Sequence, residues 1–234
     1  MKEELEKYLL PTPTIDSDNP QVTAFALEVT QGARDPVEKA VKAFYAVRDG
    51  IWYDPYTPFY KPNHYKASEV LKRKRAFCIP KAVLLCTLGR ALGIPSRLCF
   101  FDVRNHLATK QLIEFLGGTD VFVFHGVTEF FLEGRWVKAT PAFNRELCQL
   151  HNVPPVEFNG HKDAIFQAFN LDRRQFMEYL RFRGTYADLP LEEILEAFEQ
   201  QYGKERVGRW IEYFERTGET SLRDFAKEEV WKGS

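Results

Sequence analysis

Cysteine is scarce in this 234-residue chain: Cys78, Cys86, Cys99 and Cys148 are the whole complement, and no C-x-x-C pair occurs. Four thiols in a chain this long do not make a disulfide scaffold, so they are read as reduced. Nor does one sign of charge prevail. The 32 Lys and Arg nearly cancel the 33 Asp and Glu, which speaks against a protein held to duplex nucleic acid by its overall field. No stretch approaches the roughly 18 apolar residues of a membrane helix. The opening MKEELEKYLLPTP lacks the basic start and apolar run of a secretory signal. A soluble cytoplasmic protein, bound to neither membrane nor nucleic acid, is the expectation. None of the five histidines opens an H-E-x-x-H or sits at zinc-finger spacing from a cysteine pair, so neither a metal nor a cofactor is expected.

What the chain does have is bulk. It is 44% hydrophobic and 15% aromatic, enough to fill a sizeable core or line a cleft. Asp35, a capping residue, precedes Pro36, and Val37, Ala40, Val41, Phe44 and Val47 recur at helical spacing as far as Gly50. Residues 53–65 carry three prolines among Tyr and Phe and predict an aromatic loop, followed by a short helix near Ser68. The next helix, 78–92, is apolar on nearly every side and is therefore expected to be buried. Pro80 pins its start close to Cys78, and Gly93 with Pro95 stops it. A strand over 97–103, a helix over 108–116 and a hairpin of 121–132 with 135–140 about a Glu133-Gly134 turn follow. Beyond Pro155 the pattern predicts helices at 173–183, 191–202, 205–217 and 221–231. Helices, antiparallel strands and helices again make an α+β protein: a single domain with its core over about 35–150 and a helical extension over about 155–234.

Cys78 opens the buried helix, where the helix dipole favours a thiolate, and the run Lys72-Arg73-Lys74-Arg75 just upstream is a second source of positive potential. Its pKa is accordingly expected below that of a free thiol. The competing view is a buried structural cysteine. A nucleophile needs a base, and the hairpin offers His125. With Leu132 opposite Arg135, counting back sets Val127 opposite Thr140, so His125 and Thr140 share a face as diagonal neighbours. A lone strand histidine is more often packing than catalysis. Other polar candidates are Asp102, Glu129 and Asn144 as partners of His125. Trp52 and Tyr53 are candidates beside an oxyanion, and Asp102, Asn105 and His106 form a polar cluster at a strand end.

The segments FCIPKAVLLCTLGRALGIPSRL and HGVTEFFLEGRWVKATP, in that order, resemble the transglutaminase-like superfamily of papain-like folds. The resemblance spans about residues 35–144 and implies a catalytic cysteine at Cys78, a histidine at His125 and an aspartate where this chain has Thr140. It also implies a thiol acyl-transfer enzyme acting on a peptide or small amide or acyl substrate, by transglutamination, amide hydrolysis or acetyl transfer; amide hydrolysis is favoured because water is always available and no acyl-carrier or calcium-loop motif is visible. Threonine accepts a hydrogen bond but brings no charge, and losing the carboxylate costs up to ~10⁴ in turnover in the serine-protease template. A catalytically weak or inactive relative serving as a binding module is therefore the alternative.

Overall fold

In the computed structural model, which describes residues 2–218 and 225–229, a short α1 (Lys2–Glu6) precedes α2 (Pro20–Val29) and α3 (Pro36–Gly50). The last two start as their sequences dictate. Asn19 and Asp35 lie in extended backbone, accept hydrogen bonds from Gln21 N and Glu38 N at 2.9 Å, and are each followed by proline. The aromatic loop holds a two-residue strand β1 (Trp52–Tyr53) and a single turn at Pro62–His64, and leads to α4 (Ala67–Arg73). Strand β2 (Arg75–Ala76) then pairs in parallel with β1, bringing the chain directly to α5 (Cys78–Ala91).

Every residue of α5 from 79 to 90 is buried, as its all-round apolar sequence requires. It lies between α2, α3 and α4 on one side and a four-stranded antiparallel sheet on the other. The sheet is built from β3 (Ser96–Asn105), β4 (Val121–Leu132), β5 (Arg135–Ala139) and β6 (Met177–Tyr186), in the order β5-β4-β3-β6. Helix α6 (Lys110–Phe115) joins β3 to β4, and α7 (Arg145–Leu150) follows β5. Beyond β6 come α8 (Leu191–Tyr202) and α9 (Lys204–Thr217). Two glycines allow helix and sheet to touch. A Cβ on Gly126 would meet Ile79 Cα at 2.9 Å, and one on Gly89 would meet Phe130 Cε1 at 2.6 Å. Thr128 Oγ1 donates to Ala82 O at 2.8 Å across the same contact.

The hairpin has the expected register, Leu132 opposite Arg135, with Glu133 at φ 49° and Gly134 at φ 83° in the left-handed turn that matches strand twist. One element is corrected. Residues 173–183 do not form a helix; Met177–Tyr186 is instead a strand on the edge of the sheet, paired with β3. Phe176, Met177 and Leu180 suit a helical stripe, whereas Met177 and Tyr179 suit a strand, and pairing with a partner some 80 residues earlier decides between them. The helix expected over 221–231 falls largely outside the described residues, of which Phe225–Lys227 form one 3-10 turn. No helix among the described residues is long and apolar enough to cross a membrane.

Candidate active site

Cys78 sits at the first position of α5, with Phe77 in extended backbone before it. Cys78 is half-buried as a residue, yet protein surrounds its sulfur closely enough that burial pushes the thiol up to about 11. The N–H groups of Gly126, Ile79 and Cys78 itself point at the sulfur and pull the other way without prevailing. The expectation of a lowered thiol pKa is thus overturned: desolvation exceeds the help of the helix terminus. Burial pushes the other three thiols up as well, to about 12. No member of the basic run figures among the influences on the sulfur, and each is engaged elsewhere, Lys74 over the Phe25 ring at 5.2 Å. Lys72 pairs with Glu69 at 2.7 Å, Arg73 donates to His64 O at 2.6 Å, and Arg75 bonds Asp54 at 3.2 Å.

A bulge aims His125. Between the pairs Phe101–His125 and Val103–Phe122, β4 spends one residue more than β3, and Phe124 takes φ 56° to absorb it. The Phe124 N–H left over by this kink donates to Asp102 Oδ1 at 3.2 Å, and Arg183 holds the Asp102 carboxylate at 2.8 Å. Asp102 is therefore committed to the bulge that sets the residue before His125. The imidazole is buried, with Phe166 at 5.3 Å and Tyr179 at 6.5 Å between ring centroids. Burial lowers its pKa to about 4, and no carboxylate offsets this. At neutral pH the pair consists of a thiol and a neutral imidazole.

His125 Nε2 and Thr140 Oγ1 are both buried without a hydrogen-bond partner among the described residues. Register carried one step past the Thr128–Ala139 pair puts Thr140 opposite Val127, diagonal to His125. Thr140 lies near enough to the Tyr179 phenol to draw its pKa down, although burial dominates there and raises it to about 12. Tyr179 also accepts the Phe166 N–H at 3.2 Å. This tyrosine was missed by the sequence analysis because it lies on β6, where a helix was expected.

The remaining candidates separate cleanly. Asn144 does not face His125. Its Oδ1 accepts Tyr53 N at 2.7 Å, and its Nδ2 donates to Arg48 O at 2.7 Å and Ile51 O at 2.8 Å, so it ties β1 to the end of α3. Glu129 is taken by Arg97 at 2.6 Å and Lys138 at 3.1 Å. His106 lies 3.3 Å from Glu178, and neither it nor Trp52 lines the pockets at Cys78. Two pockets meet at the sulfur. One, of about 380 Å³ including open solvent, holds His125, Tyr53 and Asn105, with Phe166 and Phe225 on its walls. The other, of about 630 Å³ on the same measure, is apolar and excludes His125. No group of three His, Cys, Asp or Glu side chains among the described residues is placed to hold a metal ion.

The sequence profile of the transglutaminase-like superfamily matches residues 23–141, a span that begins in α2, includes Cys78 and His125, and ends just after Thr140. No curated protein sequence matches the chain. Among solved structures, one described as a "putative cysteine protease" from Cytophaga hutchinsonii is 16% identical over 80% of this chain and 55% of its own, with a TM-score of 0.47. A "putative protease" from Parabacteroides distasonis is 15% identical over 58% of this chain and 25% of its own, with a TM-score of 0.35. The chain thus spans about half the length of the first of these and a quarter of the second.

Proposed function

Since the chain belongs to the transglutaminase-like superfamily, we propose that it is a single-domain thiol enzyme of acyl transfer, with Cys78 as nucleophile, His125 as base and water as the favoured acceptor. The observation that carries this is the shared pocket: Cys78 and His125 both open onto it, and the N–H of Gly126, next to His125, points at the sulfur. With thiol and imidazole both neutral at rest, the proton leaves sulfur for His125 as the S–C bond forms. The tetrahedral oxyanion receives backbone N–H donors at the start of α5. Collapse breaks the C–N bond, His125 returns its proton to the departing amine, and water, deprotonated by the same imidazole, hydrolyses the thioester. Thr140, backed by Tyr179, serves as the neutral partner of His125, and Asn105 offers an amide on the pocket wall. A peptide or small amide is the substrate class.

A non-catalytic binding module is the second reading, favoured by the absence of any carboxylate influence on His125. A panel of acyl-p-nitroanilides and labelled peptides distinguishes the two. Turnover abolished by Cys78→Ala and reduced about 10²- to 10⁴-fold by His125→Ala supports the enzyme. Absence of turnover, together with iodoacetamide labelling of Cys78 no faster than that of Cys86, leaves the binding module.

A further inference from the structure

The apolar pocket beside Cys78 has no part in the proton transfers, and its walls point to the substrate. It is lined by Cys78 and Ile79 at the start of α5, Leu112 and Leu116 at α6, Phe198 of α8 and Trp210 of α9. No charged side chain lines it. Phe115 and Trp210 stack within its wall at 4.7 Å and 13°, presenting flat aromatic surface. Helices α8 and α9 lie beyond residue 141, so this wall is added by the chain outside the region matched to the superfamily.

Resting on the thiol-enzyme proposal, we infer that this pocket is the acyl-group site and that the substrate carries a bulky apolar group, a ring or a chain of similar bulk, on the acyl side of the bond attacked. The carbonyl carbon must come within about 3–3.5 Å of the sulfur. From there its two substituents have two pockets to enter. The leaving nitrogen must be reached by the proton on His125, which assigns it to the pocket that holds His125. The acyl substituent then enters the apolar pocket, where water leaves its walls and the group together.

A series of p-nitrophenyl esters tests this, with nitrophenolate release and the mass of the Cys78 thioester as readouts and free cysteine as the reference for intrinsic reactivity. Hexanoate and 3-phenylpropanoate should acylate Cys78 at least about tenfold faster than acetate on that corrected scale, since burial of an apolar group of this size is worth that or more. Hemisuccinate, of similar length but charged, should gain nothing. Leu116→Trp, which fills the pocket, should bring the phenylpropanoate-to-acetate ratio near one, and Phe198→Ala should move the optimum to a longer chain. Equal corrected rates along the series, or a ratio that neither folded variant moves, overturns the pocket assignment while leaving Cys78 as nucleophile. If no ester acylates Cys78, the nucleophile assignment fails. The pocket is then judged by non-reactive amides on the Cys78→Ala protein: 3-phenylpropanamide should raise its melting temperature and acetamide should not, and equal behaviour overturns the assignment.

Discussion

One helical turn separates two buried polar clusters of opposite character. At Lys81, every polar atom is used: Nζ donates to Arg48 O at 2.8 Å and Ile51 O at 2.5 Å, and Asn144 adds donors to the same carbonyls while accepting the Tyr53 N–H. These are the carbonyls a helix end leaves over, here at the C-terminus of α3. At Cys78, three residues earlier on α5, the neighbouring His125 Nε2 and Thr140 Oγ1 have no partner among the described residues. A buried polar group left unpaired costs about 1–3 kcal/mol, so a fold does not keep two of them together for stability. The satisfied cluster holds the structure, and the unsatisfied one is where chemistry is proposed.

Breaking the satisfied cluster should have the largest effect. Asn144→Ala strands the buried Tyr53 N–H and removes two donors, and urea denaturation should show a loss of about 4 kcal/mol. A loss below about 1 kcal/mol would show that the clamp is not structural.

Acid should expose the other cluster next. His125 titrates at about 4 in the fold against an ordinary 6.5, so between these values the unfolded chain binds a proton that the native chain refuses. Stability therefore falls as pH drops from 6.5 to 4, by about 3 kcal/mol at 1.36 kcal/mol per unit. His151, also lowered by burial, contributes in the same direction. The contribution of His125 is isolated by subtracting the profile of His125→Gln. Identical slopes in the two proteins would refute the assignment.

Thr140→Asp restores a charge beside His125 and should raise the imidazole pKa by about 1–2 units, moving the corresponding limb of the Cys78 alkylation profile to higher pH. An unmoved limb in a folded variant would separate Thr140 from His125. Thr140→Val should have the smallest effect on stability. Its hydroxyl meets no partner in good hydrogen-bond geometry, although it lies close to the Tyr179 phenol, so stability should change by less than about 1 kcal/mol, in contrast to Asn144→Ala. If the hydroxyl orients His125, the alkylation rate of Cys78 at pH 7 should fall all the same. A large stability loss would mean that the hydroxyl is bonded and the contrast between the clusters is wrong.

Local chemistry made much of this protein legible in its sequence. Asp35-Pro36 marks the start of α3, Pro80 and Gly93 bracket α5 closely, and Glu133-Gly134 sets the hairpin register, because capping, helix breaking and left-handed turns depend on neighbouring residues alone. Contacts between distant segments escaped that kind of inference. Residues 177–186 carry a pattern compatible with helix or strand, and only pairing with β3 makes them a strand and brings Tyr179 to His125. Asn144 is a candidate partner for His125 by its place in the sequence, but the carbonyls at the end of α3 claim its amide. The thiol of Cys78 is the sharpest case. Its place at a helix start follows from the sequence and predicts a lowered pKa, but desolvation depends on what the fold packs around it, and burial prevails.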